Sequence, residues 1–370
     1  MNKTKIISMY LPQYHCIPEN DMFWGKGFTD WVAVRNALPL YKDHIQPKIP
    51  LDNNYYDLSI KENVIWQSKL AVEYGIYGFG VYHYWFNNEK NLLTRPAEII
   101  RDNDSVKVNY FLAWDNANWK RTWSNVEGNA WTPMYDKDTK NSGPAILIPY
   151  ILGEEQDWKN HYNSVYSHFI SPKYIKVDNK PVFIIFNYDD KVKQMCNYWN
   201  SLAIKDGFSG MYFIIKSKGI DCSDNLEHVE FKYEPLFSGW SKNSYIRIIE
   251  NKFRKFLGKE PRLKVFNYDK VWKNIISNAK EHDMKNLYHG CFVDYDDTPR
   301  RGLNGTVVKG ATPEKFENYL YKLCKISEAQ NKEFVFLTAW NEWGEGAFLE
   351  PDSRLGYSYL ESIKKVTEKL

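Results

Sequence analysis

Glu342 and Glu345 stand three residues apart in the segment Asn341-Glu342-Trp343-Gly344-Glu345-Gly346. Two carboxylates confined in one site repel, and that repulsion separates their pKa values. One can then stay protonated as a general acid while the other is ionised. Making or breaking a glycosidic bond needs that division of roles. Gly344 and Gly346 permit a tight turn and close approach of a ligand to the backbone. The plainer reading of the same residues is a solvated glutamate pair at the start of a helix.

The chain has 14 Trp, 27 Tyr and 20 Phe, 16% aromatic in all. Rings stack on the C–H faces of sugars, but they also fill cores, so position has to decide between the two. Many of these rings stand beside polar groups. Tyr10, Gln13, Tyr14 and His15 form one cluster, His83, Tyr84 and Trp85 a second, and Trp114, Asn116 and Trp119 a third. Glu234, then Asp294, Asp297 and Arg300, then Trp340, Asn341 and Trp343 follow, with Trp24 further upstream. Rings for pyranose faces, with donors and acceptors for hydroxyls, are what a saccharide site requires. His15 and His83 read either as sugar contacts or as satisfied hydrogen-bonding residues. Asp294-x-Asp296 has the oxygen donors that a hard cation prefers. Short acidic patterns also arise by chance, and no nucleotide motif supports this one. No metal and no cofactor are expected, and Asp294, Asp297 and Arg300 read as substrate or structural contacts. Glu234 reads either as a third acidic site residue or as a buried partner of a basic side chain.

These clusters fall just after short runs rich in Val, Ile, Phe and Tyr. Eight such runs, at 5–10, 78–84, 108–114, 181–186, 211–215, 229–233, 287–293 and 333–340, show the weak alternation of strands buried on both faces. Helical spacing appears at 61–74, 157–169, 191–203, 270–281, 313–327 and 357–370. Thr312 followed by Pro313 reads as an N-cap with proline at the first helical position. Alternating strands and helices predict a parallel sheet with right-handed crossovers, and eight units predict a closed (β/α)8 TIM barrel of the α/β class. An open doubly wound sheet would need a Gly-rich phosphate turn, and none follows any run. One domain over residues 1–370 is expected, with long loops after strand one (11–60) and strand three (115–156). Loops that follow strands form the active face of such a barrel.

Lys+Arg 49 against Asp+Glu 46 leaves a net charge of +3, too little to hold a nucleic acid. No apolar run reaches the roughly 18–20 residues of a membrane span. The first residues lack the apolar stretch of a signal peptide, and five cysteines without a C-x-x-C pair suit a reducing compartment. A cytoplasmic location follows as the expectation. Residues 242–264 carry eight Lys/Arg against Glu250 and Glu260, with Ile246, Ile249, Phe253, Phe256 and Leu257 on one helical face. That helix either packs its apolar stripe on the barrel or lies peripherally on an anionic inner membrane.

Several segments resemble the WbsX-like family. They include Tyr10-Leu11-Pro12-Gln13-Tyr14-His15, the stretch from Asn20 to Trp31, Gly78 to Phe86, Trp114-Asp115-Asn116-Ala117-Asn118-Trp119, Lys173 to Pro181, Asp297-Thr298-Pro299-Arg300-Arg301 and the Glu342/Glu345 motif. The resemblance runs from about Ile7 to Leu360. That family is associated with bacterial O-antigen and capsule clusters and is similar to the endo-α-1,2-mannosidases, which are (β/α)8 barrels. The resemblance implies Glu342 as the base that deprotonates a sugar 2-hydroxyl, through an epoxide-like intermediate. It implies Glu345 as the general acid/base, with retention of configuration. Two residues depart from the pattern. The hydrolases commonly carry His where this chain has Gly344, and WbsX-like proteins often carry Glu where it has Ala117. The expected partner is an oligosaccharide or glycan, lipid-linked in one version. The expected reaction is glycosyl transfer in surface-polysaccharide assembly, with endo-hydrolysis and non-catalytic glycan binding as alternatives.

Overall fold

A computed structural model describes residues 3–120, 146–218, 228–239, 249–250, 252–254, 256–258, 262–281 and 283–370. Eight strands form the barrel. They are β1 (Lys5–Tyr10), β2 (Gly78–Asn87), β3 (Asn109–Trp114), β4 (Lys180–Ile185), β5 (Tyr212–Lys216), β6 (Val229–Phe231), β7 (Leu287–Phe292) and β8 (Phe334–Thr338). Each strand pairs in parallel with the next around the ring. β1 joins β8 with Lys5 opposite Phe334 and joins β2 with Ile7 opposite Gly78, which closes the circle. The (β/α)8 barrel expected from the eight apolar runs is the architecture found.

The helices around it are α1 (Lys61–Glu73), α2 (Arg95–Asp102), α3 (Glu155–Phe169), α4 (Asp190–Lys205), α5 (Tyr268–Glu281), α6 (Pro313–Ala329) and α7 (Ser358–Lys369). Thr312 caps α6 by accepting the Lys315 amide, with Pro313 in the first turn as the sequence suggests. Sequence reading missed α2, because eight residues give barely two turns of periodicity.

Side chains alternate between the barrel interior and the helix layer. Phe111, Phe231 and Phe336 meet inside, with Phe186 joining them through Phe231. Tyr82 of β2 also points inward, since its hydroxyl reaches across to the hydroxyl of Tyr233 at 2.6 Å. His83, one residue on, faces out and meets His161 of α3. Both faces are apolar, so the alternation is weak in the sequence and its phase is not visible there.

The loop after β1 contains two short helices, Pro18–Trp24 and Asp30–Arg35. The loop after β3 begins with a small hairpin, Trp119–Lys120 against Ile146–Ile148. Residues 121–145 of that loop lie outside the described residues. Beyond β6 and β7, Lys264–Asn267 pairs in parallel with Thr306–Lys309. Among the described residues no helix is long and apolar enough to cross a membrane.

Candidate active site

One guanidinium meets three carboxylates at the mouth of the barrel. Arg300 lies in the short helix Thr298–Arg301 after β7. Its Nε and Nη2 donate to Asp30 at 3.1 and 2.9 Å. Nη2 also donates to Glu342 at 3.0 Å, and Nη1 to Glu345 at 2.9 Å. Arg300, Asp30 and Glu342 are buried, whereas the Glu345 side chain keeps 19% of its surface exposed. Burial pushes Glu342 up to about 8. The Arg300 charge opposes that rise, while Glu345 and Asp30 add to it by like-charge repulsion. Burial also works against the Arg300 charge, but its three acidic neighbours outweigh that effect and keep it cationic.

The motif is fixed from behind by the end of β1. Asn341 accepts the Leu11 amide at 2.7 Å and donates to the Leu11 carbonyl at 2.9 Å. The Tyr14 hydroxyl lies 2.6 Å from the Asn341 carbonyl and 3.2 Å from Asp30, and it accepts the Trp343 amide at 3.1 Å. Trp343 stacks on Phe348 at 3.6 Å and donates its indole N–H to Glu350 at 2.7 Å. Gly344 has a specific cause. A Cβ there would sit 2.5 Å from Arg300 Nε and 2.6 Å from Asp30 Oδ2. The Arg300–Asp30 pair therefore fills the space that a histidine would need.

The inward side chains of neighbouring strands complete the mouth. The Lys216 ammonium lies 5.1 Å from the ring centres of both Phe186 and Tyr233. Burial lowers its pKa against the pull of Asp115 and Glu345. Asp115 is in turn pushed up to about 6 by burial, with Lys216 opposing. Tyr84 accepts from the Gln13 amide at 3.0 Å.

The structure brings Glu342, Glu345, Arg300, Tyr14, Asn341 and Trp343 into one network, with Tyr84 and Gln13 beside it. Trp119 packs edge-on to Tyr84 and Phe86. Trp24 stacks on Phe28. Gln13, Trp24 and Trp119 also line a cavity of about 10 Å³ with Asn20, Lys120 and Leu147, roughly the space of one water. Neither polar atom of the Asn20 amide finds a partner there among the described residues.

Other candidates lie in the packing around the mouth. The Tyr10 hydroxyl faces outward to Gln67 of α1. His83, Trp85 and Trp114 surround His161 on α3. Burial lowers the His83 pKa to about 3. His15 is buried, and burial lowers its pKa as well. Trp340 packs on Phe79. Asn116 spends its amide on Asn187, through both the N–H and the carbonyl of that residue. Glu234 accepts from the backbone and hydroxyl of Ser238 and has no basic partner within ion-pair distance among the described residues.

The acidic run after β7 is occupied by the loop after β1. Asp294 pairs with Lys48 at 3.0 Å. Asp296 takes His44 and Gln46, each at 2.8 Å, and also the Thr298 hydroxyl. Asp297 pairs with Arg301 at 3.2 Å. The two aspartates of the D-x-D pattern thus serve different partners.

Sequence reading missed Asp30, Tyr82, Lys216, Tyr233 and Glu350 as members of this neighbourhood. Asp30 lies within the Asn20-to-Trp31 stretch, so a signal was present. Lys216 ends a strand that looked unremarkable, Tyr233 stands beside the candidate Glu234 just after β6 but was not chosen, and Tyr82 differs from His83 only by the phase of β2.

The profile of the family described as Glycosyltransferase WbsX matches residues 6–363. The "Uncharacterized protein WxcX" of Xanthomonas campestris pv. campestris is 28% identical over 373 residues, covering 97% of this chain and 49% of that protein. The chain therefore spans about half the length of the curated relatives it matches. A GH99 endo-alpha-mannosidase from Bacteroides thetaiotaomicron, solved with BIS-TRIS-Propane, superposes with a TM-score of 0.55 at 14% identity, covering 98% of this chain and 96% of that one. A "Glycoside hydrolase-like protein" superposes with a TM-score of 0.58 at 14% identity, covering 99% and 94%. At that identity these likenesses concern the fold.

Proposed function

Because the chain belongs to the WbsX glycosyltransferase family, a family of carbohydrate-active enzymes, we propose that Glu342 and Glu345 carry retaining glycosyl chemistry at the barrel mouth. The observation that supports this reading most directly is the shared guanidinium, with Arg300 holding both carboxylates at 2.9–3.0 Å. Glu342 acts as the base. Once ionised, a buried carboxylate with a pKa near 8 is a stronger base than an ordinary glutamate. It takes the proton of the sugar 2-hydroxyl, whose oxygen attacks the anomeric carbon. Glu345, the more exposed of the two, protonates the leaving oxygen as its bond to the anomeric carbon breaks. It then deprotonates the acceptor hydroxyl, whose oxygen attacks the anomeric carbon and breaks that carbon's bond to the 2-oxygen, while Glu342 returns its proton to the 2-oxygen. Tyr14 and Asn341 keep the motif in place while charge moves.

The acceptor in this reading is another saccharide, so the reaction is glycosyl transfer in the assembly of a surface polysaccharide on a lipid-linked glycan. Endo-hydrolysis by the same pair is the second reading. It is favoured by the lack of a Gly-rich phosphate turn after any strand, since a hydrolase needs no nucleotide donor.

The test is turnover of a panel of α-linked oligosaccharides and nucleotide-sugars by the wild type and by Glu342→Gln and Glu345→Gln. Each substitution should lower kcat by at least about a hundredfold with the melting temperature preserved. Cleavage or chain extension tells the two reactions apart. Wild-type turnover in either variant would overturn the assignment. Saturable glycan binding without turnover, indifferent to both substitutions, would make the barrel a binding protein.

A further inference from the structure

Four of the five side chains on the expected apolar face of the basic segment are exposed to solvent, and the fifth, Ile246, lies outside the described residues. Helical backbone is described at 249–250, 252–254 and 256. Ile249, Phe253, Phe256 and Leu257 are 67, 61, 85 and 48% exposed. Their spacing of four, seven and eight residues from Ile249 places them on one face of a helix. One of the two expectations for this segment was that the stripe packs on the barrel, and these four side chains do not. Two phenylalanines and two aliphatic side chains in contiguous exposure mark an interaction surface. Lys252 stands exposed between them, and Arg262 pairs with Glu250 at 3.1 Å beside the face.

Charge narrows the choice of occupant. Residues 242–264 hold eight Lys/Arg and two Glu, an excess of six, while the whole chain has an excess of three. The remainder of the chain is therefore net acidic, and the excess of positive charge falls in this one segment of the sequence, with Lys252, Arg254, Arg262 and Lys264 among its described residues. A second copy meeting it about a two-fold axis would bring two strongly basic segments together. Nucleic acid would match the charge but leave the phenylalanines in water. An anionic lipid surface matches both, with phosphates for the Lys/Arg and the acyl boundary for the rings.

Position gives the surface a purpose. The segment follows β6 and precedes α5, so it belongs to a strand-to-helix connection. Such connections emerge at the same end of the barrel as Glu342 and Glu345. We propose that the face formed by Ile249, Phe253, Phe256 and Leu257 docks in the plane of an anionic bilayer and sets the glutamate mouth beside the lipid headgroups. The docking stands on this face alone. The added statement that the saccharide delivered there is lipid-anchored rests on the functional reading above.

Flotation of the purified protein with vesicles tests the docking. The vesicles are phosphatidylcholine alone, or phosphatidylcholine with about one-third phosphatidylglycerol. The wild type should float with the anionic vesicles. Recovery should fall by about tenfold or more on neutral vesicles, in roughly 0.5 M salt, and in the Phe253→Ser/Phe256→Ser double variant. The double variant should keep the wild-type circular dichroism and any turnover of a soluble oligosaccharide, because neither ring touches the glutamate network. Glu342→Gln should float like the wild type, so a failure of the catalytic reading leaves this result unchanged. Absence of flotation with anionic vesicles, or wild-type flotation of the double variant, would overturn the proposal. A dimer in light scattering that the double variant dissolves would assign the face to self-association instead.

Discussion

Arg300 sets the protonation of Glu342. Its charge is the main force holding Glu342 below the value that burial, Glu345 and Asp30 together would impose. In the proposed mechanism Glu342 works as a base only when ionised, so kcat/KM should rise with pH through a limb near 8. In Arg300→Met that limb should move to higher pH, because like-charge repulsion loses its counterweight. Arg300→Lys restores one charge without the two-pronged grip and should bring the limb part of the way back. A limb that stays in place in both variants would mean that Arg300 only holds the fold. The same guanidinium explains a residue where the sequence departs from the mannosidase pattern. Gly344 is small because Arg300 and Asp30 occupy the volume a side chain would take.

At the scale of elements, the mouth depends on the seam between β1 and β8. Asn341 bridges it with two buried hydrogen bonds to Leu11. Asn341→Ala leaves the Leu11 amide and carbonyl buried without that partner and should destabilise the protein by about 2 kcal/mol or more in urea unfolding. A midpoint equal to wild type would show that water or a neighbour replaces the bridge. The loop after β1 is held by Lys48 on Asp294 and by His44 and Gln46 on Asp296. The sequence shows these acids but not the loop that consumes them, since the partners are some 250 positions away. The strand ends were legible, yet their phase was not. Tyr82 and Tyr84 turn inward while His83 and Trp85 turn out to α3.

Across the whole molecule, buried titratable groups should make stability depend on pH in a set direction. Glu342 is raised to about 8 and Glu350 to about 7, both chiefly by burial. Acids whose folded pKa exceeds the unfolded one contribute stability at low pH, and that contribution is lost as pH rises through the folded pKa. His83, His161, His168 and His289 are all lowered by burial, so their contribution is complete above the unfolded value near 6.5 and lost below it. The melting temperature should therefore peak near pH 6.5, where the histidine contribution is complete, and fall from there to about pH 8, above which both glutamates are ionised in the folded state too. Glu342→Gln and Glu350→Gln should each flatten that decline. A decline of unchanged slope in both variants would assign it to other groups.

Local pattern alone determined the eight-unit barrel, because strands buried on both faces and amphipathic helices carry their own periodicities. The pairing of Glu342 with Glu345 was equally local, since both lie within one six-residue turn after β8. The tertiary structure decided which strand-end side chains share the mouth, because a shift of one residue in phase exchanges the barrel interior for the helix layer. It also decided the partners of the glutamates. Asp30 and Arg300 are separated by 270 positions in the chain and meet at 2.9 Å only once the ring has closed.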